Sequence, residues 1–149
     1  MVTDTPGCWV LLIYKVPPEP TAGRVSVWRK LKRIGAILLH DSIWALPASP
    51  RTMEHFQWLA TEISELGGEA MLWRGSLCLD GQNEALVRQF LTQVDAAYAE
   101  ILTCLERGDA DLVALSRLYQ QVKLQDHLNS TLGQRVRETL IAAGGGTGS

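Results

Sequence analysis

The sequence predicts an α+β fold, because apolar, β-rich runs alternate with amphipathic helical stretches as far as Gly81 and only helical periodicity follows. The order of the first part is β-α-β-β-α-β with short connections. That is the split β-α-β pattern of a ferredoxin-like sandwich, in which an antiparallel sheet carries both helices on one face. The expected organisation is a core over 8–81, a C-terminal helical hairpin or extension over 82–143, and a flexible Gly-rich tail over 144–149.

Residues 9–16 (Trp-Val-Leu-Leu-Ile-Tyr-Lys-Val) form a nearly continuous apolar run suited to a central strand. Pro17, Pro18 and Pro20 end it, since proline supplies no ladder donor. Thr21–Ile34 reads as a helix with Val25, Trp28 and Leu31 recurring every third residue, widened by Val27 and Ile34. On that reading Arg29, Lys30 and Arg33 face away from the stripe, with Arg24 and Lys32 at its margins. Gly35 terminates the helix.

Ala36–Ala48 returns to strand character, interrupted at His40-Asp41-Ser42 by a tight turn or a bend. Ser49-Pro50 supplies an N-cap followed by proline at the first helical position. Met53, Phe56, Leu59, Ala60, Ile63 and Leu66 keep helical spacing until Gly67-Gly68. Glu69–Arg74 predicts the fourth strand, and Leu77-Cys78-Leu79 a short edge strand. Three more helices are marked by Leu86 to Leu105, Leu112 to Val122, and Leu132 to Ile141, with Gly108-Asp109 breaking the first from the second.

The 149 residues are 46% hydrophobic and 20% charged, which excludes wholesale disorder and suffices for a core. The longest apolar run, Cys8–Tyr14, is far short of the roughly 20 residues a membrane helix needs. Met1–Gly7 has neither a basic flank nor a small-residue cleavage site, so a cytoplasmic location is expected. Cys8, Cys78 and Cys104 include no C-x-x-C pair, so reduced thiols are expected rather than structural zinc.

Net charge is −2, yet it is unevenly spread. Between Lys15 and Arg33 six basic residues stand against Glu19 alone, a local +5, while the remainder carries −7. Local field matters more than the total for recruiting a polyanion. The cations of the first helix have no acidic i,i+4 partners, and four are packed into Arg29–Arg33, as a phosphate-backbone footprint requires. A solvated helix face and an anion or nucleic-acid surface both stay open on this ground.

Enzyme signals are thin. No phosphate-binding glycine loop, nucleophile elbow or zinc-protease helix occurs. His40, Asp41 and Ser42 are the residue types of a hydrolase triad, but consecutive side chains of an extended chain point apart. His40, His55 and His127 sit on separate elements without metal-ligand spacing. No catalytic residue, metal or cofactor is therefore expected, and the protein is read as a non-enzyme. The five tryptophans fall one per element of the α+β core; Trp28 reads as core, while Trp58 fits either core or an exposed stacking position.

The stretch Trp9-Val-Leu-Leu-Ile-Tyr-Lys-Val-Pro-Pro-Glu-Pro-Thr-Ala-Gly-Arg-Val-Ser-Val-Trp-Arg-Lys-Leu-Lys-Arg-Ile-Gly35 resembles the start of the ChrB family of chromate-resistance regulators. Leu39-His-Asp-Ser-Ile-Trp-Ala-Leu-Pro47, Phe56-Gln-Trp-Leu59, Gly67-Gly-Glu-Ala70 and Leu132-Gly-Gln-Arg-Val-Arg137 extend the resemblance along nearly the whole chain. It implies a cytoplasmic, DNA-binding transcriptional regulator of a chromate-efflux operon. The family's usual second, chromate-related domain has no counterpart in these 149 residues, so a stand-alone homologue, a fragment and half of a split system stay open.

Ser42-Ile43-Trp44 after a strand and a basic helix also resembles the ferredoxin-like CRISPR spacer-acquisition protein and the central domain of the phenylacetate-pathway repressor. That likeness implies a homodimer and a surface suited to duplex DNA. Where the CRISPR family carries a metal-binding aspartate this chain has Lys15, which cannot ligate a divalent metal, so nuclease activity is not expected. The expected phosphate contacts are Arg24, Arg29, Lys30, Lys32 and Arg33. The alternative is a small-oxyanion (chromate) site, with Lys15 and Arg24 flanking the first helix's N-terminus. A structural partner protein using the helices after Gly81 is a further reading.

Overall fold

The structure, a computed structural model, describes residues 6–19, 21–108 and 111–144. Its elements are β1 (Trp9–Lys15), α1 (Thr21–Arg33), β2 (Ile37–His40), β3 (Ile43–Pro47), α2 (Pro50–Glu65), β4 (Glu69–Gly75), α3 (Gln82–Arg107), α4 (Leu112–Gln125) and α5 (Thr131–Ala143). They form two compact units, residues 6–83 and the chain from Glu84 onward. The expected tail beyond Gly144, Asp109, and residues 1–5, on which part of the expected absence of a secretion signal rests, lie outside the described residues.

In the first unit the sheet order is β2-β3-β1-β4 and every pairing is antiparallel. This is the ferredoxin-like arrangement the element order predicts. Alternation along β1 separates two faces. Val10 and Leu12 are fully buried and stand opposite Leu46 and Trp44 of β3, beneath the helices. Leu11 and Ile13, on the other face, stand opposite the exposed Trp73 and Met71 of β4. Trp9 is buried, with its indole N–H donated to Asn83 Oδ1 at 2.8 Å.

Helix α2 begins where the sequence places it. Ser49 Oγ accepts from Thr52 N–H at 3.1 Å, and Thr52 Oγ1 accepts from Ser49 N–H at 2.9 Å, a reciprocal capping box. Phe56, Leu59 and Ile63 then bury one face, each stabilising by about 1.5–3 kcal/mol. The β2–β3 connection is a tight turn, with Asp41 in the left-handed region at φ 40°. Aspartate tolerates that conformation better than most residues.

Three local expectations are overturned. The buried stripe of α1 is Val27 and Leu31, whereas Val25 and Trp28 are exposed. The i,i+4 row carries the packing, so the period-three row 25-28-31 is rotated out at its first two members. Trp73 is exposed too, and Trp58, for which core and surface both stayed open, is on the surface, which leaves only Trp9 and Trp44 of the five tryptophans in the core. Leu77-Cys78-Leu79 is not a strand: β4 is the sheet's edge, and among the described residues no further strand pairs beyond it.

The second unit joins α3, α4 and α5 around Val94, Tyr98, Ile101, Leu115, Tyr119, Val122, Val136 and Leu140. Its polar centre is Asp126, which accepts Tyr98 O–H at 2.9 Å and Ser130 N–H at 3.1 Å. Ser130 Oγ in turn donates to Asp95 and caps α5. Burial first, and then the Asp126 charge, pushes the Tyr98 phenol well above its ordinary value; burial raises Tyr119 as well. Unfolded tyrosines ionise near 10.0 while these stay protonated in the fold. Stability is therefore full below that pH and falls as pH rises through it. Alkaline titration followed by phenolate absorbance and circular dichroism should show Tyr98 ionising only as the helices melt.

Candidate anion-binding surface of helix α1

Helix α1 gives its cations four different placements, and the placement decides what each can do. Lys30 is turned toward α2, where it forms an ion pair with Glu62, a contact that Ser26 Oγ supports by donating to the same carboxylate at 3.3 Å. The sequence expectation found no acid for this helix because it considered i,i+4 neighbours only; the neutralising carboxylate comes from another helix. Such a half-exposed pair contributes about 0.2–1 kcal/mol.

Lys32 lies over the Trp28 ring, 5.7 Å from its centroid. A cation held against an aromatic face at that distance is attracted by the ring quadrupole. Arg29 and Arg33 are exposed and have no ion-pair partner among the described residues. They stand one turn apart on the side of α1 opposite the buried Val27–Leu31 row.

Arg24 points elsewhere. It lines a cleft of about 470 Å³ together with Tyr14, Lys15, Val16, Thr21, Trp28, Leu38, Asp41, Ser42 and Trp44. The end of β1, the first turn of α1 and the β2–β3 turn thus meet here, and the two residues expected for an oxyanion site share one wall. Arg24 and Lys15 make no ion pair among the described residues. Burial raises the Tyr14 phenol, an effect opposed by the Trp44 indole N–H and by the Arg24 charge. Trp44 Nε1 is itself buried and makes no hydrogen bond among the described residues.

Sequence reasoning missed Tyr14, Leu38, Ser42 and Trp44 as neighbours of this cleft. The period-two alternation of β1 carries the signal for one of them: Tyr14 falls on the helix-covered face with Val10 and Leu12, at the strand's open end. Among the described residues no group of three or more His, Cys, Asp or Glu side chains is placed to hold a metal ion. None of the described helices is long and apolar enough to cross a membrane.

Residues 24–112 match the family profile described as Protein ChrB, N-terminal. The chain is also 29% identical over 118 residues to Protein ChrB of Cupriavidus metallidurans (strain ATCC 43123 / DSM 2839 / NBRC 102507 / CH34), an alignment covering 73% of this chain and 36% of that protein. The chain thus spans about a third of the length of the curated relative it matches. The profile runs from Arg24, in the first turn of α1, through β2, β3, α2, β4 and α3 to the start of α4, and leaves β1 outside it. With well over half of its residues matched, the chain belongs to the ChrB N-terminal family.

Proposed function

We propose that this chain is a DNA-binding domain of a chromate-resistance transcriptional regulator, acting in the cytoplasm as a homodimer on an operator of a chromate-efflux operon and carrying no catalytic activity. One observation bears most of the weight: the outer side of α1 presents Arg29 and Arg33 with no carboxylate to neutralise them among the described residues. Family membership supports the regulatory reading. Lys32 flanks this surface, Arg24 faces the cleft instead, and Lys30, tied to Glu62, contributes least. These cations position a duplex by its phosphates and leave base reading to other residues.

The test is fluorescence anisotropy with duplex DNA from the protein's own upstream region, repeated across a salt series. Removing the cation that neutralises one phosphate lowers the slope of log affinity against log salt by about 0.9. Arg29→Ala/Arg33→Ala should therefore reduce the slope by about 2, whereas Lys30→Ala should leave it nearly unchanged. Affinity and slope that survive the double substitution would overturn the assignment.

A second reading, a small-anion sensor, is favoured by a separate observation: Lys15 and Arg24 line one cleft beside the first turn of α1. Helix N-termini favour negative charge there. Calorimetry with chromate and sulfate tests it, and no heat with either at millimolar concentration counts against a bare oxyanion as ligand.

A further inference from the structure

We propose that the cleft between β1, α1 and the β2–β3 turn binds a small organic anion, one acidic group carried on a flat apolar body, in preference to a bare tetrahedral oxyanion. The inference rests on the small-anion reading of this site and names its ligand class.

Four observations carry it. First, the volume of about 470 Å³ belongs to the range of pockets for organic molecules, roughly 300–1,000 Å³, and a five-atom oxyanion leaves most of it unfilled. Second, three large apolar side chains that line the cleft are left exposed: Val25 at 38%, Leu38 at 43% and Trp28 at 50%. They include both members of the α1 stripe that the fold does not bury, so this apolar surface has no role in the core of the unit. An exposed apolar patch rimmed by polar groups is how a binding site for an organic ligand presents itself.

Third, the polar rim is cationic and donor-rich. Lys15 and Arg24 contribute two positive charges against Asp41 alone, and Thr21, Ser42 and Tyr14 add hydroxyls. Fourth, the buried Trp44 indole N–H makes no hydrogen bond among the described residues, and Trp44 lines the cleft together with Tyr14. Tyr14 and Arg24 both line the cleft, so a phenol donor and a guanidinium are available to a carboxylate there. The Trp28 ring, carrying Lys32 at 5.7 Å, offers a flat wall for the ligand's body.

Calorimetry with benzoate, benzyl alcohol, sulfate and chromate on the whole chain tests this, with the indole N–H resonance of Trp44 as the site-specific readout. Benzoate should bind saturably and shift that resonance, with benzyl alcohol, sulfate and chromate each at least about tenfold weaker. Arg24→Gln and Leu38→Ser, both at exposed positions, should each weaken benzoate several-fold while circular dichroism stays unchanged. Sulfate or chromate binding as tightly as benzoate would overturn the organic class and leave the small-anion reading standing. Benzyl alcohol binding as tightly would overturn the anionic requirement. Saturable binding by none of the three anions would sink both readings, and benzoate binding that ignores Arg24→Gln would place the ligand elsewhere and overturn the proposal.

Discussion

Asp126→Ala should destabilise the helical unit by about 3 kcal/mol, read as a fall in the urea midpoint with an unchanged slope. Asp126 is 6% exposed and lies in the loop between α4 and α5, yet it satisfies donors from two other places. Its Oδ2 takes the Tyr98 hydroxyl from α3 at 2.9 Å, and both of its oxygens take the Ser130 backbone N–H at 3.1 Å. Alanine leaves those two donors buried without an acceptor, and each orphaned group costs about 1–3 kcal/mol. The truncated side chain also opens a small void beside the fully buried Tyr98 ring.

Tyr98→Phe alone removes a donor and its bond together, so its cost should be nearer 1 kcal/mol. The double variant Asp126→Ala/Tyr98→Phe should then be more stable than the two single costs predict, because the phenol no longer lacks a partner. Additive costs would mean that the Tyr98–Asp126 bond carries no coupling, and the network account of this unit would fail.

This network was invisible in the sequence, and the reason is physical. Asp126 and Ser130 read as loop residues, and their partners on α3 lie 28 positions before Asp126 and 35 before Ser130. Local patterns report local chemistry. The Ser49-Pro50 start of α2 and the apolar run of β1 were legible because a cap and a buried strand are set by neighbours in the chain. The rotation of α1 was not legible, since both the 25-28-31 row and the 27-31-34 row are apolar and only packing chooses between them. That choice settled much of the candidate site. It brought Arg24 and Trp28 to the cleft, turned Lys30 to Glu62, and left Arg29 and Arg33 outward. The joint placement of Lys15 and Arg24 was readable for a different reason: a short connection must bring the end of β1 near the start of α1.

Gly68→Ala should cost about 2 kcal/mol and should disturb the cleft as well as the fold. The Gly67-Gly68 pair has two distinct requirements. Gly67 holds φ at +85°, the left-handed end of α2, and its substitution meets backbone strain, while a Cβ there would make only an ordinary contact with Pro17 Cγ at 3.8 Å. Gly68 has an ordinary backbone but no room: a Cβ there would stand 2.3 Å from the Lys15 carbonyl oxygen, 3.0 Å from Ile63 Cγ2 and 3.1 Å from Val16 Cα. Two of these three obstacles are backbone, which cannot swing aside as a side chain can.

Relief must therefore come from β1 and β4 parting where Lys15 pairs with Glu69. Overpacking of this kind costs about 1–3 kcal/mol, whereas the entropy an alanine removes from the unfolded chain returns only about 0.4–1 kcal/mol. Gly75, at the far end of the same strand with nothing within 4 Å of a Cβ, is the matched control, and Gly75→Ala should be close to neutral. Because Lys15 and Val16 line the cleft, Gly68→Ala should also weaken benzoate under conditions where the variant remains folded, and Gly75→Ala should not. A Gly68→Ala protein as stable as its Gly75→Ala counterpart would mean that the end of β1 yields freely. The cleft could then not hold Lys15 in a fixed relation to Arg24, and the geometry proposed for the anion would lose its foundation.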